Sequence, residues 1–262
     1  MSTPRTAIIT GSTSGIGLGI AHALAATGCN IVINSFSDSD EDHAIATEME
    51  KQHGIKAAYI QADMSKPDQC RALVEKAAKT FGTVDILVNN AGIQYVAKIE
   101  EFPVDKWDAI LAINLSSSFH TIAAAAPLMK KAGWGRIINI ASAHGLRASP
   151  YKSAYVSAKH GLVGLTKTVA LEMADERVAV TCNAICPGYV KTPLVEGQIK
   201  DQMKAHGMSR EEVLDKVILS RQPTREFATV EQIGGIVSFL CSPAADQITG
   251  TSVSVDGGWT AM

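Results

Sequence analysis

The stretch Thr6-Ala7-Ile8-Ile9-Thr10-Gly11-Ser12-Thr13-Ser14-Gly15-Ile16-Gly17 decides the fold of this chain. Its first residues are apolar and β-branched, which predicts a strand that is buried on both faces. Three glycines follow at the spacing G-x-x-x-G-x-G, and a helical pattern then runs from Gly17 to Thr27. A strand, a glycine-rich turn and a helix in this order are typical of the first unit of a parallel α/β sheet.

The alternation of strand and helix patterns continues through the chain. Short apolar runs predict strands at Ala7–Thr10, Asn30–Asn34, Ala57–Gln61, Ile86–Asn89, Arg136–Ala141, Ala179–Ile185 and Ser252–Val255. Helical patterns lie between them at Gly17–Thr27, Asp40–His53, Pro67–Phe81, Val104–Lys131, Lys152–Asp175 and Val230–Cys241. We therefore expect an α/β fold, a single Rossmann-type doubly wound parallel sheet of about seven strands with helices on both faces. No linker or shift in composition marks a second domain, so we expect one domain over residues 1–262.

Composition and charge exclude several classes of protein. A chain of 262 residues with 46% hydrophobic and 19% charged residues fits one globular α/β domain. The net charge of −2 and the lack of an arginine-rich tract give no reason to expect nucleic acid as a partner. We expect a cytoplasmic protein, because the start resembles no targeting segment and no apolar run reaches the ~18 residues of a membrane span. Neither C-x-x-C nor H-E-x-x-H occurs, so we expect no metal site.

One segment interrupts the alternation. Residues 190–222 form a long polar stretch with helical patterns and no strand. Because it follows the sixth predicted strand and Pro187-Gly188, it is placed over the carboxyl ends of the strands, where open α/β sheets bind ligands. We interpret it as a helical lid over a substrate. The alternative is a peripheral helical decoration.

The glycine turn predicts a dinucleotide site. Gly11, Gly15 and Gly17 allow a tight turn, close approach of the backbone to a pyrophosphate, and close packing of helix on sheet. The amino terminus of the following helix then faces the negative charge. The spacing differs from the common G-x-G-x-x-G pattern, but its position between a strand and a helix still favours a dinucleotide over a simple turn.

Charge near this turn favours NAD over NADP. From Thr6 to Glu50 the chain has no lysine or arginine to bind a 2′-phosphate, and acids cluster from Asp38 to Asp42. The support is incomplete, because the second strand ends without an acid where a ligand of the ribose is most expected. Asp38 is either that ligand or a solvated loop residue. Asp63 is a candidate for the adenine edge, and its alternative role is at a helix start near Ser65.

Tyr155, Lys159 and Ser142 form the candidate catalytic group. Lys152, Tyr155 and Lys159 are three and four residues apart, so we expect them on one face of one helix. A free tyrosine has a pKa near 10, and a nearby ammonium lowers it towards a value suited to a general base. Ser142 follows the apolar strand before this helix and supplies a hydroxyl partner. The Y-x-x-x-K spacing is a weak signal alone, and the glycine turn and Ser142 strengthen it.

Taken together, these motifs resemble the short-chain dehydrogenase/reductase family over essentially the whole chain. The residues that carry the resemblance are Thr10–Gly17, Asn89–Gly92, Asn114, Ser142, Tyr155, Lys159 and Pro187-Gly188. The resemblance implies that Tyr155 is the general acid/base, that Ser142 binds the reacting oxygen, that Lys159 lowers the tyrosine pKa and holds the nicotinamide ribose, and that Asn114 holds a water for proton relay. It also implies a set of cofactor contacts: Gly11, Thr13, Ser14, Gly15, Ile16, Gly17, Phe36, Asp63, Asn90, Ala91, Gly92, Tyr155, Lys159, Pro187, Gly188, Val190 and Thr192.

A closer resemblance rests on the residues Asn89–Gln94, Ile140–Leu146, Lys152–Tyr155, Thr192–Glu196, Gln198 and Val255–Thr260. In these stretches the chain resembles the bacterial D-3-hydroxybutyrate dehydrogenases within that family. The resemblance implies a homotetramer that interconverts (R)-3-hydroxybutyrate and acetoacetate with NAD. Residue types support a small acid as substrate, because a cation, an imidazole and two amides converge and would bind a carboxylate by charge-assisted hydrogen bonds; they are Lys152, His144, Gln94 and Gln198. Tyr189 departs from the tryptophan expected in close relatives, and Trp259 is expected to close the pocket or a subunit contact.

Two other functions compete with this interpretation. The first is another enzyme of the same fold, either a 3-oxoacyl-thioester reductase or a polyol or sugar dehydrogenase. A thioester reductase that uses NADPH should have basic residues near Ser14 or Ser35, and this chain has none there. The second is a dinucleotide sensor without catalysis, which would not need Tyr155, Lys159 or Ser142.

Overall fold

A computed structural model describes residues 4–262, apart from the side chains of Leu194, Gln198, Asp201, Ala205 and His206. Seven parallel strands form one sheet in the order β3-β2-β1-β4-β5-β6-β7. The strands are β1 Thr6–Ile9, β2 Asn30–Ile33, β3 Ala57–Tyr59, β4 Ile86–Asn89, β5 Trp134–Ile140, β6 Ala179–Pro187 and β7 Ser252–Val255. The predicted doubly wound sheet is confirmed, and each strand end lies within two residues of the predicted position.

Helices cover both faces of the sheet. They are α1 Gly15–Ala26, α2 Asp40–His53, α3 Pro67–Phe81, α4 Val104–Leu111, α5 Ser117–Ala132, α6 Ser153–Asp175, α7 Pro193–His206, α8 Arg210–Val213 and α9 Val230–Leu240. Glycine ends several of the helices; for example, Gly54 and Gly82 follow α2 and α3 in the left-handed conformation that glycine adopts without strain. The helix α1 ends at Ala26, one residue before the predicted end.

Apolar side chains fill the space between the sheet and each helical layer. On one face, Ile9, Ile31 and Val88 of the strands pack with residues of α1 and α9. On the other face, Ile8 and Leu87 pack with residues of α3 and α5. Burial of each large apolar side chain stabilises the fold by roughly 1.5–3 kcal/mol. The sheet is therefore a fixed platform, and its strand order reverses beside β1, where β4 is the next neighbour.

The predicted long helix after β4 is continuous but contains a wider turn. Residues Ala112–Ser116 form a π-helical turn between α4 and α5. By length and mean hydropathy (1.4), the stretch Val104–Ala132 would qualify as a membrane span, although the sequence suggested none. Length and hydropathy are weak evidence for a membrane span here, because 44% of the most apolar window of this stretch is buried in the fold. Core helices of other proteins meet the same two criteria. The π-turn places Asn114 in the protein interior, at 1% exposure.

The segment 190–222 is helical, as the sequence predicted. It contains α7 and α8, a π-helical turn at Leu214–Ile218 and a 3₁₀ turn at Leu219–Arg221. Its apolar side chains form a small cluster of their own, which includes Val195, Ile199 and Val213. Val190 pairs with Ala228 where the chain leaves and rejoins the main fold.

Candidate active site

Two amide side chains hold the glycine loop between β1 and α1. The Asn90 side-chain nitrogen donates to the carbonyl oxygens of Thr10 and Gly11, at 2.9 Å each. The Asn34 side-chain oxygen accepts from the Gly11 amide at 3.2 Å, and its nitrogen donates to the Ile60 carbonyl at 3.0 Å. Because Asn34 follows β2 and Asn90 follows β4, the strands on both sides of β1 fix the shape of the loop.

The loop needs glycine at three positions. Gly11 and Gly15 have φ angles of +60° and +54°, which other L-residues adopt only with strain. A Cβ atom at Gly17 would lie 2.4 Å from the Gly11 carbonyl oxygen, so α1 could not start so close to the loop. The ideal Cβ position of Gly15 is 3.4 Å from the Thr192 methyl, which brings the start of α7 beside the loop.

The amino terminus of α1 is suited to an anion. Its N-cap, Ser14, makes no side-chain capping hydrogen bond, and no acid lies in the first turn. The start of α2 is different, since Ser39 and Asp42 form a capping box and three acids lie in the first turn. Backbone N–H groups and the helix dipole at the start of α1 are therefore available to a phosphate. This end of the sheet fits the pyrophosphate of a dinucleotide.

Three predicted cofactor residues follow β2 and β3. Phe36 is 76% exposed beside the crevice. Asp38 pairs with His43 at 2.7 Å on the surface. Asp63 accepts a hydrogen bond from the Ser65 amide at 2.8 Å through one carboxylate oxygen, which is the structural alternative considered for this residue. Its second oxygen has no hydrogen-bond partner within the described part of the chain.

The remaining predicted cofactor residues follow β1, β4 and β6 at the same edge of the sheet. Thr13 and Ile16 belong to the glycine loop and the first turn of α1. A Cβ at Gly11 would lie 3.0 Å from the Cα atom of Ala91, so the two loops touch. The others, Gly92, Pro187, Gly188 and Val190, line the continuation of this edge.

Ser142, Tyr155 and Lys159 come together as predicted. Ser142 follows β5, and its hydroxyl accepts from the His144 amide at 3.1 Å. The Lys159 ammonium lies 5.6 Å from the centre of the Tyr155 ring and donates to the Ile140 carbonyl at 2.8 Å. The turn after Ser142 packs closely against α6. A Cβ atom at Gly145 would lie only 3.0 Å from the Lys159 carbonyl oxygen.

Burial dominates the ionisation of this group. Burial raises the pKa of Tyr155, and a polar contact with Ser142 partly offsets that rise. Burial also lowers the pKa of Lys159 to about 8. The net shift of the Tyr155 pKa is upward, and the lowering effect expected of Lys159 stays a prediction. The physical reason is that desolvation of the phenolate is the largest influence, while the ammonium hydrogen-bonds to the Ile140 carbonyl.

Asn114 makes a specific contact that the sequence did not reveal. Its side-chain oxygen accepts from the Ile93 amide, and its side-chain nitrogen donates to the Ile93 carbonyl, at 2.9 Å each. Both ends of the side chain are thus used to hold the loop after β4. The relay role expected for Asn114 stays a prediction.

Lys152 differs from its predicted position. It is the N-cap of α6, with φ −124° and ψ 36°, and is not part of the helix as the spacing argument required. Burial and the nearby Arg221 lower its pKa. Within the described residues, neither Lys152 nor Arg221 has a carboxylate partner. Two unneutralised cations therefore lie in the same pocket.

His144 lies beside these cations and the tyrosine. Its ring makes edge contacts with Tyr155 and Trp259, with ring centres 5.9 Å and 5.1 Å apart. Burial and the charges of Lys152 and Arg221 lower the pKa of His144 to about 3, so it is neutral at pH 7. Its Nε2 atom is 2.8 Å from the Ser149 hydroxyl. We name His144, Lys152 and Arg221 the anion end of the site, and Ser142, Tyr155 and Lys159 its catalytic end.

Tyr189 and Trp259 form an aromatic wall. Their rings stack with centres 5.7 Å apart and planes at 14°. Gln222 holds this wall, because its side chain accepts from the Tyr189 amide and donates to the Glu226 carbonyl at 2.6 Å. Trp259 is 7% exposed, and its role in closing the pocket stays a prediction.

The structure describes the side chain of only one of the two glutamines that were predicted to bind the substrate. Gln94 is half-buried in the loop after β4. The side chain of Gln198 lies outside the described residues, so its predicted contact with substrate stays a prediction.

Four residues of the site were missed from the sequence. Asn34 holds the glycine loop, Gln222 holds Tyr189, and Ser149 and Arg221 surround His144. Asn34 could have been found, since a polar residue at the end of an apolar strand needs hydrogen-bond partners. The other three gave no signal because their contacts join distant parts of the chain.

A separate cavity of about 610 Å³ lies behind the glycine loop. Gly15, His22, His53, Lys191 and Val230 are among its lining residues, and no residue of the catalytic end is. The site is therefore identified by its chemistry and not by the volume of this cavity.

Comparison with known proteins agrees with this geometry. A family model described as enoyl-(acyl carrier protein) reductase matches residues 11–260. The chain belongs to the short-chain dehydrogenase/reductase family. It is 58% identical to a D-beta-hydroxybutyrate dehydrogenase of Rhizobium meliloti, with 98% of this chain and 99% of the relative covered. It is 52% identical to a D-beta-hydroxybutyrate dehydrogenase of Cupriavidus necator, with 98% of each covered, and 41% identical to an uncharacterised oxidoreductase of Bacillus subtilis, with 98% and 99% covered.

Membership of the short-chain dehydrogenase/reductase family explains the two halves of the site. The protein is an oxidoreductase that uses a nicotinamide cofactor. The glycine loop fits the cofactor's pyrophosphate, and the catalytic end lies at the carboxyl edge of the same sheet.

Proposed function

We propose that this protein is an NAD-dependent D-3-hydroxybutyrate dehydrogenase, which oxidises (R)-3-hydroxybutyrate to acetoacetate and catalyses the reverse reduction. The observation that carries the proposal is the anion end, where Lys152 and Arg221 have no acidic partner in the described structure and face the pocket of Tyr155. A pocket with two unneutralised cations favours an anionic substrate. The names of the relatives from Rhizobium meliloti and Cupriavidus necator support the same substrate.

The catalytic end performs the proton transfer. When bound, the nicotinamide ring accepts the hydride from the carbinol carbon. Tyr155 takes the hydroxyl proton during oxidation and returns it during reduction, a role that typically contributes roughly 10²- to 10⁴-fold in rate. Because Ser142 accepts from the His144 amide, its own proton is free to donate to the reacting oxygen. The charge of Lys159 favours the phenolate that forms in the course of oxidation.

The anion end orients the substrate. A carboxylate bound to Lys152 places a four-carbon chain with its hydroxyl group towards Tyr155. Charge-assisted hydrogen bonds of this kind are shorter and stronger than neutral ones, and they fix the distance to the reacting carbon. The stacked rings of Tyr189 and Trp259 supply an apolar surface for the terminal methyl group. Gln94 and Gln198 are proposed as further contacts of the carboxylate.

NAD is proposed as the cofactor because of the charge around β2. Phe36 and Asp38 lie where a 2′-phosphate would need a cation, and the acids at the start of α2 add to the negative potential. NADPH should therefore bind more weakly than NADH.

Three further features belong to the proposal. The segment 190–222 acts as a lid of a single domain, since it carries Arg221 to the pocket. The protein is a homotetramer. It works in the cytoplasm.

An absorbance assay at 340 nm tests this function. The purified protein is supplied with NAD or NADP and with (R)- and (S)-3-hydroxybutyrate, (R)-3-hydroxyvalerate, lactate and a polyol, and acetoacetyl thioester is tested with NADH and NADPH. We expect the highest kcat/KM with (R)-3-hydroxybutyrate and NAD. A higher kcat/KM for the thioester or the polyol would contradict the substrate, and a higher value for NADP or NADPH would contradict the cofactor.

A further inference from the structure

Ser149 and Arg221 form a chain of hydrogen bonds that ends on His144. Nη1 of Arg221 donates to the Ser149 hydroxyl at 2.8 Å. The same hydroxyl oxygen lies 2.8 Å from Nε2 of His144. Arg221 belongs to the segment 190–222, whereas Ser149 and His144 lie between β5 and α6. The chain of bonds therefore connects the proposed lid to the substrate pocket.

The direction of each bond follows from the groups involved. An arginine only donates, so it occupies one lone pair of the Ser149 oxygen. His144 is neutral, and one ring nitrogen carries the single proton. If Nε2 carried it, Ser149 would accept from both neighbours, and its own proton would have no acceptor within the described structure. A hydroxyl that accepts from a cation is also a stronger donor. Both arguments make Ser149 the donor to Nε2.

We propose that Arg221 and Ser149 are positioning residues that hold His144 as its Nδ1–H tautomer, with Nδ1 the donor to the carboxylate of the substrate. Nδ1 has no hydrogen-bond partner in the described part of the chain, so its proton is available. The neutral ring would otherwise present a lone pair on Nδ1, which repels a carboxylate. The substrate part of this inference rests on the proposed function, whereas the tautomer does not.

The proposal explains why the two cations have different surroundings. The ammonium group of Lys152 has no hydrogen-bond partner among the described residues, as expected of a direct ligand of an anion. Arg221 is engaged with Ser149 and lies with its guanidinium carbon 5.9 Å from the centre of the Trp259 ring. Arg221 therefore acts through Ser149 and His144, and adds positive potential from a fixed position.

The test measures the tautomer directly. The protein is labelled with ¹⁵N-histidine, and the ring resonances of His144 are assigned by their loss in His144→Gln. At pH 7 we expect a protonated Nδ1 and an unprotonated Nε2 in the unmodified protein, and a shift of the proton to Nε2 in part or all of the molecules of Ser149→Ala. A protonated Nε2 in the unmodified protein, or no change in Ser149→Ala, would overturn the proposal.

Kinetics supply a second readout. Ser149→Ala and Arg221→Met should each raise KM for 3-hydroxybutyrate roughly 10-fold with kcat changed less than about 3-fold, since an interaction with a charged group is weakened. Ser149→Thr keeps the hydroxyl and should restore both KM and the tautomer. Ser157→Ala and Lys167→Met, which alter exposed residues of α6, are matched controls. If Ser149→Ala has an unchanged KM, the positioning role is wrong.

Failure of this inference is distinguishable from failure of the proposed function. The ¹⁵N experiment needs no substrate, so it decides the tautomer even if the unmodified protein does not oxidise 3-hydroxybutyrate. Unfolding of each variant is followed by circular dichroism, and Ser149→Thr keeps the test valid if Ser149→Ala is unstable.

Discussion

The two ends of the active site differ in how their cations are held. At the catalytic end, Lys159 is buried and donates to the Ile140 carbonyl of the sheet. At the anion end, Lys152 lies at the start of α6, and its ammonium group has no carboxylate or hydrogen-bond partner in the described structure. A buried charge is costly unless it is compensated, so an uncompensated cation in a pocket indicates a ligand of opposite charge. The catalytic end is thus complete within the protein, whereas the anion end is completed by the substrate.

The largest effect on activity should come from a substitution at the catalytic end. Tyr155→Phe removes the only hydroxyl that we place as proton donor and acceptor, so kcat should fall roughly 10²- to 10⁴-fold. Steady-state kinetics with 3-hydroxybutyrate and NAD measure it. Binding of NADH, followed by fluorescence, should change less than about 2-fold. A variant that keeps more than a tenth of the original kcat would show that another group transfers the proton.

The next effect should come from the anion end. Lys152→Ala removes a charged hydrogen bond to the substrate, which is worth about 1.5–3 kcal/mol and corresponds to a roughly 10- to 150-fold rise in KM. The exposed Lys167→Ala on the same helix is the matched control and should leave KM unchanged. Equal KM values for the two variants would remove the distinction between the two ends.

The effect on stability is confined to low pH. The pKa of His144 is about 3 in the folded protein and near 6.5 in the unfolded chain, so between these values the unfolded chain binds the additional proton. The free energy of unfolding should therefore fall as pH decreases from 6.5 towards 3, with a contribution that approaches about 1.4 kcal/mol per pH unit.

Urea denaturation at pH 6.5, 5.5 and 4.5 compares the unmodified protein with His144→Gln. The variant lacks this titration, so its stability should depend less on pH. If the free energy of unfolding changed equally with pH in the two proteins, His144 would not be held neutral.

Much of the fold was predictable from the sequence because local patterns determine it. The five inner strands are buried and have apolar runs, and glycines end α2 and α3, so both types of element were found to within two residues. The π-turn around Asn114 was not predictable, because it depends on the two hydrogen bonds with Ile93 in a separate loop. The spacing argument placed Lys152 within α6, because residue spacing alone does not show which residue is the N-cap.

The candidate site was predictable only where residue type determines chemistry. Ser142, Tyr155 and Lys159 were found because few residue types transfer or stabilise a proton. Ser149 and Arg221 were missed, although they are adjacent in space, because 72 positions separate them in the chain. The net upward shift of the Tyr155 pKa was not predictable, since burial is a property of the folded pocket and not of the Y-x-x-x-K spacing.

Comparison of an anionic substrate with a neutral one tests the central claim most directly. The measurement is kcat/KM for (R)-3-hydroxybutyrate and for its methyl ester, in the unmodified protein and in Lys152→Ala. The account predicts that the unmodified protein prefers the acid by roughly 10- to 150-fold, and that the preference largely disappears in the variant. Equal values for acid and ester in the unmodified protein, or an unchanged preference in Lys152→Ala, would contradict it.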